Sequence, residues 1–180
     1  MQRTEQERIR RESLAALRAL GIEPYPAAEF TVTHRSKQLA VAFEDGMTVT
    51  LAGRIMSRRI MGKASFAEIQ DSEGSFQLYL NRDELCPSED KTLYNVVFKK
   101  LLDRGDFIGV SGETFTTQTG EQSVMIKTLT VLSKSLKPLP AVKVDEDGKL
   151  HDAFADPELR YRMRYVDLVV NPDVKNVFET

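Results

Sequence analysis

Apolar and polar residues alternate with a period of two through the middle of the chain. Met47, Val49 and Leu51 stand against Thr48, Thr50 and Ala52, the pattern of a strand with one buried face. Gly53 interrupts this strand and predicts a bulge or sharp bend there. Past that point the alternation no longer says which residues face outward. Ile60-Met61-Gly62-Lys63 predicts a turn into a second strand, where Ala67 and Ile69 share one face and Phe66, Glu68 and Gln70 the other. Asp71-Ser72-Glu73-Gly74 turns into a third, with Phe76, Leu78 and Leu80 opposite Gln77, Tyr79 and Asn81. If these strands pair across that turn, Phe66, Gln77 and Tyr79 lie together on the polar face.

Around this meander the period lengthens to that of helices. Thr4 and Glu7 form a capping box for a first helix, with Ile9, Ser13, Ala16, Leu17 and Leu20 on one stripe and Gly21 as its stop. Glu23-Pro24-Tyr25-Pro26 is extended, because a residue before proline avoids the helical region. Thr33 caps a short second helix through Leu39 and Phe43, ending at Asp45-Gly46. A polar loop through Cys86-Pro87-Ser88 follows the third strand, then a helical segment with Leu93, Val96, Val97, Lys100 and Leu101. A fourth strand, Phe107 to Thr116, turns at Thr117-Gln118-Thr119-Gly120 into a fifth, Glu121 to Ser133, with Val124 and Ile126 on one face.

Three meander strands, a helix and a hairpin predict a mainly β fold with flanking helices. The order is that of the five-stranded Greek-key OB-fold barrel, which binds oligonucleotides on its strand face and loops. Lys134 to Pro140 leaves the barrel, and Asp145 to Lys149 reads as a linker. Pro157 opens a last helix, Glu158 to Val170, with Leu159, Met163, Val166 and Val170 on one stripe and Asn171-Pro172 as its stop. The expected division is a helical extension over residues 1–46, the barrel over 47–134, and a linker with helix over 135–180.

Composition narrows the function. The 180 residues are 41% hydrophobic and 29% charged, ordinary for a globular chain, with a formal net charge of −2. That charge argues against broad non-specific binding to nucleic acid and makes any such role local. The lone Cys86 excludes an intramolecular disulfide and fits a reducing compartment. His34 and His151 lack ligand-spaced neighbours, so no metal is expected. There is no signal peptide and no apolar run of about 18 residues, so the expected location is the cytoplasm, away from membranes. Asp145, Glu146 and Asp147 are consecutive, which suits a solvated linker better than paired catalytic carboxylates.

The local basic feature lies between Gly53 and Asp83, where Arg54, Arg58, Arg59 and Lys63 adjoin the outward Phe66 and Gln77. Cations beside an exposed aromatic form a platform for single-stranded nucleic acid. Arg3, Arg8, Arg10, Arg11 and Arg18 on the first helix read as a solvated face interleaved with glutamates, or as a second contact with phosphates.

The run GRIMSRRIMGKASFAEIQD, the Thr-Gly-Glu at 119–121, the exit KSLKPLP and the final PELRYRMRYVDLVVNP together resemble the N-terminal part of bacterial class II lysyl-tRNA synthetases. The resemblance implies an anticodon-binding OB-fold reading a UUU or CUU anticodon of tRNA-Lys, central U included. It implies a parent homodimer that uses ATP and Mg2+ to make lysyl-adenylate and transfer lysine to tRNA. The catalytic part of that parent is expected to follow the chain's last residues, Phe178-Glu179-Thr180, leaving no catalytic residue and no cofactor of its own here. By the same resemblance, Phe66 stacks on the central base, Gln77 and Arg59 hydrogen-bond it, with Arg58 open in place of Arg59, and Glu121 contributes to base recognition. An arginine donor, an amide and a carboxylate suit a uracil edge of two carbonyls flanking an N–H. Related readings are an aspartyl- or asparaginyl-type anticodon domain, a general single-strand binding module, or a barrel that serves protein contact.

Overall fold

The computed structural model describes residues 3–140, 142–144, 150–152, 154 and 156–178. The alternating stretches become β1 (Thr48–Met61), β2 (Ala64–Gln70), β3 (Ser75–Asn81), β4 (Phe107–Thr116) and β5 (Gln122–Ser133). They close into a barrel in the order β1-β2-β3-β5-β4, with β4 returning to β1. Every neighbouring pair is antiparallel except β3 and β5. A parallel pair cannot be joined by a tight turn. Here the helices after β3 and the whole of β4 intervene.

The inward faces are those that alternation predicts: Val49, Leu51 and Ile55 on β1, Ala67 and Ile69 on β2, Phe76, Leu78 and Leu80 on β3, all buried. Gly53 departs from expectation. It stays in register opposite Ile108, and the bulge falls instead between Ile55 and Ser57. Glycine is needed at 53 for another reason, since an added Cβ would lie 2.9 Å from the Gln70 carbonyl oxygen and 3.1 Å from the Ile69 Cβ.

The first helix, α1 (Glu5–Ala19), starts at the expected capping box, with Glu7 N–H donating to Thr4 Oγ1 and Thr4 N–H to the Glu7 carboxylate. Its buried stripe is rotated from the expected one. Arg10, Ser13 and Leu17 are buried, whereas Ile9 and Leu20 are each 45% exposed. Arg10 is therefore not a solvated residue. It donates to the Ser135 and Arg104 carbonyl oxygens at 3.1 and 2.9 Å, ends of loops that hydrophobic periodicity does not see. The second helix, α2 (Ser36–Val41), is capped at Arg35 rather than Thr33, because Thr33 is taken by β1, bonded to the backbone of Thr50 in both directions.

The loop after β3 contains a short helix, α3 (Arg82–Leu85), capped by the Asn81 side chain, which polarity alone does not predict. The next helical segment, Leu93–Leu101, is a π-helix, closed by Leu102 N–H on the Val97 carbonyl at 2.9 Å. It buries Tyr94, Val97 and Phe98, with Leu93 and Leu101 at the margin of the core. Tyr94 was not on the expected stripe; its hydroxyl is 2.7 Å from the buried Ser65 hydroxyl.

Lys134, where the chain leaves the barrel, is held inside the unit. Its ammonium is fully buried, 2.6 Å from the Asp103 and 2.7 Å from the Asp106 carboxylate, and Asp106 also accepts from Ser135 N–H at 2.8 Å. Burial pushes the Asp106 carboxyl above its usual range, against the pull of Lys134.

The chain divides into two compact units, Met1–Lys137 and Pro138–Thr180. In the second, β6 (Val142–Val144) pairs antiparallel with β7 (Leu150–Asp152), and the expected linker residues Asp145, Glu146 and Asp147 lie outside the described residues. The expected single last helix is α4 (Pro157–Arg162) and α5 (Arg164–Val170), broken at Met163, and Pro172 both ends α5 and opens α6 (Pro172–Phe178). Buried Asp167 gathers Arg160 Nε at 2.9 Å, Arg164 Nη1 at 2.5 Å and Asn171 Nδ2 at 2.6 Å. Those donors come from either side of the break at Met163.

Candidate nucleic-acid interface

The bulge in β1 decides which arginine faces outward. With Met56 as the extra residue, Ser57 stands opposite Glu68, Arg58 opposite Ala67 and Arg59 opposite Phe66. Without it, Arg59 would share the inward parity of Val49, Leu51 and Ile55. Arg58 turns toward the barrel and donates to the Phe98 carbonyl at 2.5 Å. Burial lowers its guanidinium pKa, opposed by Asp103 and Asp106. Arg54 is also committed, donating to the Gly105 carbonyl at 3.0 Å and lying 4.2 Å from the Phe107 ring centre.

Arg59 is exposed, and its side chain has no hydrogen-bond or ion-pair partner among the described residues. Its guanidinium carbon lies 5.9 Å from the centre of the Phe66 ring. Phe66 is half-buried on the outer face of β2 and pairs with Tyr79 on β3, ring centres 5.2 Å apart. Tyr79 in turn meets Phe115 edge-on at 5.6 Å. Phe66 thus has an aromatic wall on one side and a cation on the other.

Gln77 is held from the neighbouring strand. Its Nε2 donates to Ser123 Oγ at 2.8 Å, across the β3–β5 pairing that sets the two residues opposite each other. Glu121 sits where the β4–β5 hairpin closes. Thr117 N–H donates to the Glu121 carbonyl at 2.9 Å, and Glu121 N–H to Thr117 Oγ1 at 3.0 Å. Gly120 makes that turn with φ +83°, which glycine adopts at little cost.

Arg59, Phe66, Gln77 and Glu121 line one cleft of about 630 Å³. Arg58 and Lys63 do not line it. Ser57, Glu68, Thr117 and Thr119 do, in addition to the site residues expected from the sequence. Glu68 was legible by strand parity, since it shares the face of Phe66. Thr117 and Thr119 belong to the predicted hairpin, but no periodicity shows that the hairpin folds over β2 and β3. The cleft therefore offers an aromatic face, a guanidinium, an amide and two carboxylates, the equipment to hold one base and read its edge.

Residues 49–132 match the family described as OB-fold nucleic acid binding domain. The chain is 58% identical over 177 residues to a lysine–tRNA ligase of Christiangramia forsetii, covering 98% of this chain and 31% of the relative. It is 56% identical over 180 residues to one from Porphyromonas gingivalis W83, covering 97% and 31%, and 56% identical over 178 residues to one from Azobacteroides pseudotrichonymphae, covering 97% and 35%. The chain thus spans about a third of the length of these relatives. Residues 49–132 thus match a tRNA anti-codon OB-fold family, within a chain that is similar along nearly its whole length to a part of lysine–tRNA ligases about a third of them in extent.

Proposed function

We propose that this chain reads the anticodon loop of tRNA-Lys, with a preference for UUU and CUU set at the central U. The observation that carries the reading is the convergence of Arg59, Phe66, Gln77 and Glu121 on one cleft. Phe66 offers its ring to the base, and such stacking contributes about 1–3 kcal/mol whatever the base. The free donors of Arg59 meet a uracil carbonyl. The Gln77 amide meets the N–H and a carbonyl, and the Glu121 carboxylate accepts from a neighbouring base. Stacking supplies affinity, and the polar groups supply choice.

The larger activity is proposed for the full-length enzyme: activation of lysine with ATP and magnesium, transfer to tRNA, cytoplasmic location and homodimeric assembly, as for a lysine–tRNA ligase. Among the described residues no group of three or more His, Cys, Asp or Glu is placed to hold a metal ion. Likewise, no helix among them is long and apolar enough to cross a membrane.

The test is titration of the chain with anticodon stem-loops carrying UUU, GUC or a scrambled triplet, at two salt concentrations. The expected order is UUU first at both salts. Equal binding of all three would overturn the reading in favour of a general single-strand platform.

A further inference from the structure

The orientation of one amide decides which pyrimidine fits the cleft. A carboxamide presents a carbonyl acceptor at one end and N–H donors at the other, and turning it over exchanges them. Uracil carries an N–H at position 3 beside a carbonyl, whereas cytosine carries a bare nitrogen there beside an amino group. Held one way, the Gln77 amide complements uracil; turned over, it complements cytosine. The outer face of β3 does not fix this choice by itself.

Ser123 fixes it. This serine is fully buried on β5, opposite Gln77. Its hydroxyl has one proton, which can turn to the Glu121 carbonyl oxygen 3.4 Å away. The serine oxygen acts as acceptor toward Gln77, taking an Nε2 proton at 2.8 Å. The reversed amide would set Oε1 against Ser123 Oγ and take its proton, leaving one hydrogen bond where the observed arrangement makes two, while the Glu121 carbonyl keeps the Thr117 N–H. A hydroxyl sealed from water has no other donor to call on. With Nε2 tied down, Oε1 has no partner among the described residues and is left for a ligand.

We propose that Ser123 is a positioning residue for base choice: it holds the Gln77 amide with Oε1 toward the cleft, so that the site accepts a pyrimidine bearing an N3–H and rejects one whose N3 is a bare acceptor. The inference rests on the anticodon reading above and adds the residue that sets its selectivity. Ser123 does not line the cleft, so its effect is transmitted through Gln77.

The experiment measures Kd for stem-loops that differ only in the central anticodon base, U or C, with the unmutated chain, Ser123→Ala, Gln77→Glu and the double variant. A correctly oriented bidentate edge is worth about 1–3 kcal/mol of discrimination, so Ser123→Ala should reduce the U-over-C ratio about tenfold or more. A merely structural loss would weaken both stem-loops alike and leave the ratio unchanged. A carboxylate at 77 presents acceptors whichever way it turns, so Ser123→Ala should leave the ratio of the Gln77→Glu chain where it was. In the unmutated chain, nuclear Overhauser contacts from the Gln77 side-chain amide protons to the Ser123 side chain are expected; this readout stands even if Ser123→Ala does not fold. Absence of those contacts, or a full U-over-C ratio in Ser123→Ala, would overturn the role of Ser123 and leave the anticodon reading intact. Absence of any U preference in the unmutated chain would overturn both.

Discussion

Two charged regions of the barrel unit use similar residues in opposite ways. Around Lys134, Arg10, Asp103 and Asp106 are committed to protein partners, and Lys134 and Asp106 are sealed from solvent. In the cleft at Phe66, the Arg59 guanidinium and the Gln77 side-chain oxygen have no hydrogen-bond or ion-pair partner among the described residues. Burying a charge costs several kcal/mol and is tolerated only where the geometry supplies its partners. The first region therefore holds the unit together, and the second leaves its polar groups for a ligand. Neighbours on one strand show the contrast most directly, for Arg58 belongs to the first kind and Arg59 to the second.

That contrast breaks most visibly at Lys134. Lys134→Ala strands a buried Asp106, and loss of one partner from a buried pair costs about 3–5 kcal/mol. Chemical denaturation should show that drop, and stem-loop binding by the fraction that stays folded should persist. A variant as stable as the original would mean that the pair contributes little.

Phe66→Ala should do the reverse, weakening stem-loop binding by about 1–3 kcal/mol for every sequence tested. Fluorescence anisotropy against UUU and scrambled loops reads this out. An effect confined to UUU would move Phe66 from stacking to edge recognition.

The two arginines sharpen the comparison at a smaller scale. Arg58→Ala leaves the Phe98 carbonyl without its donor and should lower stability by about 1–3 kcal/mol, the cost of an unsatisfied buried group. Arg59→Ala should leave the melting temperature unchanged and weaken UUU binding, by about 1.5–3 kcal/mol for a charged hydrogen bond. Parallel melting and binding curves separate the pair, and exchanged effects would place the β1 bulge elsewhere.

The smallest expected effect lies in the β2–β3 turn. Burial pushes the Asp71 carboxyl up, but hydrogen bonds from the Ser36, Glu73 and Gly74 backbone outweigh it and hold it below its ordinary value. A depressed carboxyl stabilises the fold above its unfolded pKa, near 3.8, and that contribution is lost as pH falls through the lower folded value. Asp71→Asn should therefore narrow the stability difference between pH 6 and pH 2, measured as the denaturation midpoint. An unchanged difference would mean that other carboxylates control acid unfolding.

Much of the barrel was legible because a strand's facing is local. Each residue in β2 and β3 points opposite to the one before it, so Phe66, Gln77 and Tyr79 could be set on the outer face from their spacing alone. The capping box at Thr4 and the β4–β5 turn were legible for the same reason: partners lie within a few residues. What misled were positions whose environment is supplied from afar. Arg10 reads as one more exposed arginine, yet carbonyls at Arg104 and Ser135 draw it inward. Gly53 reads as a bend, although what requires it is the close approach of Gln70.

By itself, then, the sequence determined the succession of strands along the chain, the inner and outer faces of β2 and β3, and the residues proposed to stack on and read a base. Only the tertiary structure decided that the bulge at Met56 turns Arg59 rather than Arg58 toward Phe66. It alone brought the hairpin of Glu121 over the sheet, and set Ser123 against Gln77 across 46 positions of chain. Alternation and capping follow from the sterics of a few adjacent residues. Register across a bulge, the burial of a charge and the turn of an amide are settled by which distant atoms the closed barrel brings within hydrogen-bond reach.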